Sequence, residues 1–425
     1  MQSRRSLRRA WTAVALVFLF MVINFADKAV IGLSSGQIMR ELRLTHTQFG
    51  MLGSAFFLLF SLSGVAVGFL ANRIRTKTLM LLMSVVWSAA LLPIIRVSGF
   101  ATLVGSRVIL GAAEGPAFPV AMHAVYKWFD NRRRALPSSV VASGAAFGAG
   151  IVAPLVTWII ERYGWHSAFG VLSLAGLAWA ILWMVVGREG PDDTAADGEP
   201  ASLPDGLHKV PYQRLIFSRT AAGVYVAGFA AYWIISLNLV WLANYLIKAV
   251  QMSPANAAWV IALPSAMQMM LAPSLAYVSQ RLSQAGVSSR VSRGILGTLC
   301  VMTGGVSMAC MPFVPLGAVK IFLLGLSFSV GSVIFTLGST LIGEISPTPQ
   351  RGAMLGITNS LHTLAGLCAP FAMGRIVDIT LDPAEGFRTG FVYAGSFVAA
   401  LGLLAALLIN PEKDLQRFRD SQEIP

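Results

Sequence analysis

Residues 188–218, REGPDDTAADGEPASLPDGLHKVPYQRLIFS, form the one long polar stretch in a chain of 425 residues. On either side, one apolar run follows another. The chain is 56% hydrophobic and 12% charged, with mean hydropathy +0.69, whereas soluble domains carry roughly 25% charged residues. A run of about 20 apolar residues can cross a hydrocarbon core of about 30 Å. Six such runs precede the polar stretch, near 11–35, 47–71, 78–97, 101–127, 135–160 and 167–187. Six follow it, near 219–247, 255–280, 294–313, 317–343, 353–379 and 389–410. The expected fold is an all-α membrane protein of twelve transmembrane helices in two pseudo-symmetric six-helix bundles. Its parts are an N-terminal bundle over 1–187, a cytoplasmic linker over 188–218, a C-terminal bundle over 219–410 and a tail over 411–425.

An internal repeat supports the division. Gly164-Trp165-His166-Ser167-Ala168-Phe169 recurs as Gly386-Phe387-Arg388-Thr389-Gly390-Phe391, and Arg134-Ala135 precedes Ala153-Pro154 much as Arg351-Gly352 precedes Ala369-Pro370. Two parallel six-helix halves are a transporter architecture, with substrate held between them near the midplane. The formal charge of +13 does not point to nucleic acid. Lys and Arg gather in alternate loops, at Arg4–Arg9, Arg73–Lys77, Lys127–Arg134, Arg188–Arg219 and Arg281–Arg293. That is the positive-inside bias, which puts both termini in the cytoplasm of a bacterial inner membrane. The basic start could open a signal peptide, but it lacks a small-residue cleavage site and runs on past Asn24, so an uncleaved first helix is expected. Cys300, Cys310 and Cys368 are odd in number and read as thiols packed among helices.

Two stretches place ionised side chains inside these spans: Asn24-Phe25-Ala26-Asp27-Lys28, and Arg107-Val-Ile-Leu-Gly-Ala-Ala-Glu114-Gly-Pro-Ala-Phe-Pro119. A charge at the bilayer centre costs roughly 2.5–3.5 kcal/mol on insertion scales, so each needs a function. Asn24, Asp27 and Lys28 share one helix face, and so do Arg107 and Glu114. The first and fourth helices run in opposite directions, so these groups come to similar depth and can line one cavity. Removing water penalises an ionised carboxylate, which makes Asp27 and Glu114 candidate proton carriers. Arg107 offers a planar fork for a carboxylate, and Lys28 a compact point charge. A proton that neutralises an acid frees a neighbouring cation to hold an anion, which is a route to proton-coupled symport. Gly111, Gly115, Pro116 and Pro119 are expected to loosen or kink the fourth helix beside Glu114.

These motifs carry a family resemblance. Gly68-Phe-Leu-Ala-Asn72-Arg73-Ile-Arg75-Thr-Lys77 resembles the Gly-x-Leu-Ala-Asp-Arg-x-Gly-Arg-Arg gating loop of the major facilitator superfamily, with Asn72 in place of Asp and Arg75 in place of Gly. Asn-Phe-x-Asp-Lys and Arg-(x)2-Leu-Gly-(x)2-Glu-Gly-Pro-x-Phe-Pro resemble the anion:cation symporter family within it. The resemblance spans nearly the whole chain. It implies that Asp27 and Glu114 carry protons and that Lys28 and Arg107 meet the substrate carboxylate. Relatives commonly have Arg at the Lys28 position. Sugar-acid members tend to have hydroxyl or amide side chains where this chain has Phe25, Phe60 and Ala145, so an aromatic or otherwise apolar carboxylate is expected here.

Weaker substrate candidates are Asn238, Trp241 and Tyr245 on the seventh span, and Asn359, His362 and Thr363 on the eleventh; Asn and His there also serve as interhelical hydrogen-bond glue. His123 reads as structural or gating, His46 and His166 as loop residues, and Met267, Met269 and Met270 as packing. No nucleophile–base pair or metal cluster argues for an enzyme, and no cofactor beyond protons is expected. The expected activity is import of a small organic anion with protons by a monomeric carrier in the lipid bilayer. Alternatives are a sugar-acid/proton symporter, an anion or drug antiporter, and a channel or substrate-sensing receptor. Gly144, Gly148, Gly150 and Pro154 match the fifth-span signature of drug antiporters only loosely.

Overall fold

The computed structural model describes residues 4–70, 74–96, 99–129, 135–190 and 210–420. Among these there is no strand. Helices α1 (Arg4–Leu33), α2 (Ser35–Glu41), α3 (His46–Leu70), α4 (Thr76–Leu91), α5 (Phe100–Glu114), α6 (Ala117–Tyr126), α7 (Ala135–Ala146), α8 (Ala153–Tyr163) and α9 (Trp165–Val186) precede the polar stretch. After it come α10 (Tyr212–Ile216), α11 (Arg219–Lys248), α12 (Pro254–Gln284), α13 (Leu296–Cys310), α14 (Ala318–Ser329), α15 (Val333–Ile345), α16 (Thr348–Thr363), α17 (Ala365–Asp378), α18 (Pro383–Leu408) and α19 (Pro411–Asp420). Among the described residues, 11 helical stretches are long and apolar enough to cross a membrane. The remaining expected span, 353–379, is present as α16 and α17, which break at Leu364. Gln350, Arg351, Asn359 and His362 make its first part too polar to stand out.

Two compact units emerge. The first comprises Met1–Ala195, Leu237–Ala266 and Leu367–Phe387; the second comprises Ala196–Ser236, Met267–Gly366 and Arg388–Pro425. In the first unit α3 lies along α5, α1 along α7, and α4 along α9. Its interior is aromatic. Phe20 sits between Trp87 and Trp179, with centroids at 4.7 and 4.8 Å. The indole N–H of Trp179 donates to the Leu16 carbonyl at 2.8 Å. Serines bridge the helices: Ser84 donates to Gly176 O and Ser173 to Ser88 O. Such side-chain bonds to backbone do the work that hydrophobic contrast cannot do in lipid. In the second unit α13 packs on α14 and α15, and α15 on α16 and α19.

Both units cap helices with distant acids. The Glu189 carboxylate accepts from Thr76 N at 3.1 Å, Thr76 Oγ1 at 2.7 Å and Lys77 N at 2.8 Å, and pairs with Lys127. In the second unit Glu412 accepts from Arg290 N at 3.1 Å, at the start of the π-helical segment Arg290–Ile295 that leads into α13. Asp414, also there, accepts from Thr220 N at 2.8 Å. Acids following the last membrane helix before the linker, and the last before the end, thus close the exposed donors of other helices.

Composition misplaced some side chains. Cys300 is buried, but Cys310 and Cys368 are exposed rather than packed. Met269 and Met270 also face outward. Lipid-facing and core-facing positions are equally apolar, so hydropathy does not separate them. Asn72 and Arg73 of the gating-loop motif lie outside the described residues, as do Arg134 and linker residues 191–209; Gly68 falls within α3.

The Glu189 cap makes a pH prediction. Burial pushes this carboxyl up, but hydrogen bonds from Lys127, Lys77 N and Thr76 outweigh that and hold it below the usual range. A depressed folded-state value contributes stability that is full above the unfolded carboxyl's pKa of about 4.3 and is lost as pH falls through the folded value. The melting temperature of Glu189→Gln should fall below wild type by an amount equivalent to about 1 kcal/mol at pH 7. The gap should close in titrations below about pH 4.

Candidate functional site

The first and fourth spans place four charged groups together inside the first unit. Asp27, Lys28, Arg107 and Glu114 are 0%, 4%, 2% and 1% exposed. Lys28 Nζ lies 2.8 Å from Glu114 Oε2. It also donates to Asn24 Oδ1, one helical turn earlier on α1. Arg107 Nη1 donates to the Asp27 backbone carbonyl at 3.4 Å. Here the pairing ends. Both Asp27 carboxylate oxygens are buried without a hydrogen-bond partner, and so is Arg107 Nε. Among the described residues the only ion pair in this group is Lys28–Glu114; no carboxylate comes within 4 Å of Arg107.

Aromatic rings complete the walls. The Lys28 ammonium lies 4.4 Å from the Phe25 centroid, 5.7 Å from Phe56 and 5.5 Å from Phe60. The Arg107 guanidinium lies 5.0 Å from Phe56. Ring faces carry negative potential, so they stabilise a desolvated cation without offering it a counter-charge. Phe56 was not singled out from sequence; its signal is the i, i+4 pair with Phe60, which puts both rings on one face of α3.

Close backbone approach sets this geometry. A Cβ at Gly111 would overlap the Phe56 carbonyl, and one at Gly115 the Phe60 carbonyl. Gly111 and Gly115 form a Gly-x-x-x-Gly pair that lets α3 and α5 touch at backbone distance. The phenylalanine rings are thereby delivered over the two cations. The fourth span then breaks, because α5 ends at Glu114 and α6 starts at Ala117. Pro116 has no N–H for the helical ladder. Glu114 therefore stands at a helix end, as the proline–glycine content predicts.

The other sequence candidates lie elsewhere. Trp241 is fully buried, its indole N–H donating to Pro370 O at 2.9 Å and its ring 5.2 Å from Phe49. Its polar atom is taken up in helix packing. Asn238 is half-buried on α11. In the second unit Asn359 is exposed, and Thr363 is buried with its hydroxyl donating to Ser360 O at 2.9 Å. His362 is buried with Nε2 3.2 Å from Val224 O, an interhelical bond. His46, read as a loop residue, opens α3 and contacts Asp378 through Nδ1 at 2.9 Å.

A multi-pass helical membrane protein with a water-excluded, charged site part-way along two of its spans is built as a solute carrier. The chain matches the Major Facilitator Superfamily over residues 17–333 and 224–425 and belongs to that superfamily. It is 26% identical over 427 residues to the D-galactonate transporter of Escherichia coli O6:H1, covering 95% of this chain and 96% of that one. It is 27% identical over 417 residues to the probable sulfoacetate transporter SauU of Cupriavidus necator, covering 94% and 93%. Among solved structures, a bacterial homolog of the human lysosomal transporter Spinster, inward-facing and unoccupied, superposes with a TM-score of 0.73. That match has 16% identity and covers 98% of this chain and 99% of the other.

The Gly111 contact is testable. Gly111→Ala forces α3 away from α5, and overpacking of this kind costs about 1–3 kcal/mol. Gly105, on the same helix, has nothing within 4 Å of an added Cβ. Gly105→Ala should therefore be neutral or stabilising by up to about 1 kcal/mol. Thermal unfolding of the two variants side by side should show a lowered melting temperature for Gly111→Ala and no lowering for Gly105→Ala.

Proposed function

We propose that this chain is a proton-coupled symporter that imports a small organic carboxylate, with both termini in the cytoplasm of a bacterial inner membrane. Working as a monomer, it alternates access by rocking two six-helix halves, 1–187 and 219–410. The unpaired Arg107 carries this reading. A buried carboxylate that accepts no hydrogen bond is costly to hold charged, and in this scheme Asp27 is assigned a proton. Lys28 and Glu114 cancel each other. One cation, Arg107, is then left over in a site closed to water, and a substrate carboxylate supplies the missing charge.

The coupling follows from the same count. Protonating Glu114 releases Lys28, which then joins Arg107 in holding the anion. Deprotonation towards the cytoplasm restores the Lys28–Glu114 pair and expels the substrate carboxylate. Asp27, one residue before Lys28 and beneath Arg107, is the second proton carrier. Protons are the only coupling ion this scheme needs.

Phe25, Phe56 and Phe60 around Lys28 favour an aromatic or otherwise apolar carboxylate, since none can bond a sugar hydroxyl. The names of the relatives, a D-galactonate transporter and a probable sulfoacetate transporter, favour a sugar acid or another polar anion instead. A thermal-shift series with benzoate, a branched aliphatic acid and D-galactonate decides between them, because a bound ligand stabilises the folded state. Stabilisation by D-galactonate alone would replace the aromatic reading.

Glu114→Gln should abolish accumulation driven by an inward proton gradient in proteoliposomes, while counterflow of the stabilising acid persists. Normal gradient-driven accumulation would remove Glu114 from the coupling role. Arg107→Ala should weaken that acid's binding by roughly ten- to a hundredfold, the scale of a charge-assisted bond. Unchanged affinity would make Arg107 a structural residue.

A further inference from the structure

At the end of the first unit where α2 leads into α3, a single carboxylate ties together two helices far apart in the chain. Asp378, the last residue of α17, accepts from His46 N at 2.9 Å through Oδ1 and from Thr47 N at 2.6 Å through Oδ2. His46 Nδ1 lies 2.9 Å from the same Oδ1. All three donors belong to the first two residues of α3. A carboxylate in this position meets both the free N–H groups and the positive end of the helix dipole.

The helix does not need Asp378 to begin. Gln48 N donates to Thr45 Oγ1 at 3.2 Å, and Thr45 N donates to Gln48 Oε1 at 3.0 Å. This reciprocal capping box closes the start of α3 from within. The Asp378 contacts are therefore separable: they can be lost to water and α3 remains capped. A bond that holds two elements together, yet is not required by either, has the character of a latch.

The surroundings are a seal. Beside Asp378, Gly374 is pressed so closely to α3 that a Cβ would overlap the His46 carbonyl, and a Cβ at Gly50 would overlap the Pro370 carbonyl. The Trp241 indole spans from α11 to Pro370 and packs against Phe49 and Phe387, with centroids at 5.2 and 5.6 Å. His46 completes the cluster, 6.1 Å from Trp241 and 6.1 Å from Phe387. His46 and Asp378 are only 16% and 20% exposed. Backbone-to-backbone contact between α3 and α17, with aromatic rings packed beside it, closes the gap between these two helices.

We propose that Asp378 is the latch of a gate: its carboxylate holds the α3 N-terminus while this end is closed and releases it each time the end opens. The tie is charge-assisted and near the surface, so water competes for it as soon as the helices part. Gly374 and Gly50 let the α3 and α17 backbones meet directly, so at those two points separation meets no interlocked side chains. The proposal needs only that the superfamily's carriers open alternately at two ends; it is independent of substrate.

The test is a distance measurement by double electron–electron resonance on the full chain in lipid nanodiscs. Spin labels go at Arg40 and Leu381, both exposed at this end, with Cys300, Cys310 and Cys368 replaced. Unaltered at position 378, the protein should show mainly one short distance. Asp378→Ala should raise a longer-distance population by about tenfold, and Asp378→Asn by less, since its amide oxygen still accepts one N–H. His46→Pro approaches the latch from the other side. Proline is favoured at the first helical position and removes both His46 donors without breaking α3. It should also lengthen the distance. A lower melting temperature with an unchanged distance distribution in Asp378→Ala, or in His46→Pro if that variant alone folds, would make Asp378 an ordinary helix cap and overturn the proposal.

Discussion

An ammonium group walled by three phenylalanine rings is tolerable only because Glu114 Oε2 lies 2.8 Å from Lys28 Nζ. Much of the first unit serves that contact. It requires α1 and α5 to present their charges at one level, and α3 to bring Phe56 and Phe60 over them. It also needs a helix end at Glu114 so that the carboxylate can turn towards α1. The Gly111–Gly115 pair and the break at Pro116 satisfy the last two conditions. A buried pair of this kind contributes little net stability, because desolvation offsets the Coulomb attraction. Its value in the proposed scheme is functional, since there each partner is exchanged for a proton or an anion arriving from outside.

Much of this was legible in the sequence. The helical period puts Asn24, Asp27 and Lys28 on one face and Arg107 and Glu114 on another, and the insertion penalty says that such charges need a site. Depth along antiparallel helices predicts their meeting. Which acid meets which cation was not legible. Helix rotation decides that Glu114, not Asp27, pairs with Lys28, and rotation here follows from backbone contact at Gly111 and Gly115. The outward-facing Cys310, Cys368 and Met270 show the complementary failure. In a bilayer the outside of a helix is as apolar as its inside, so the contrast that marks a soluble core is absent.

Long-range helix caps were invisible for a different reason. Glu189 closes α4 from 113 residues away, and Asp378 closes α3 from 332 away. Local capping leaves a short-range signature, as at Thr45 and Gln48. A cap from another helix leaves none, because nothing near the recipient names the donor of the carboxylate. His46 looked like a loop histidine for that reason, although it meets the side chains of Asp378, Trp241 and Phe387.

The charged site and the sealed end are joined by one rigid element. Gly32, four residues beyond Lys28 on α1, is pressed against the Leu239 carbonyl. Four residues of helix rise about 6 Å. Lys28 and this part of the seal therefore cannot move independently without bending α1. The Lys28–Glu114 pair ties α1 to α5, and Gly32 ties it to α11. A ligand shifts a conformational equilibrium only by its difference in affinity between the two states. Here that difference has a simple origin. A ligand carboxylate that takes over from Glu114 at Lys28 relaxes the tie between α1 and α5 while leaving the ammonium paired. The ammonium unpaired among aromatic rings is the costly arrangement in any state, so under the proposed symport scheme α1 moves when proton and anion are exchanged together.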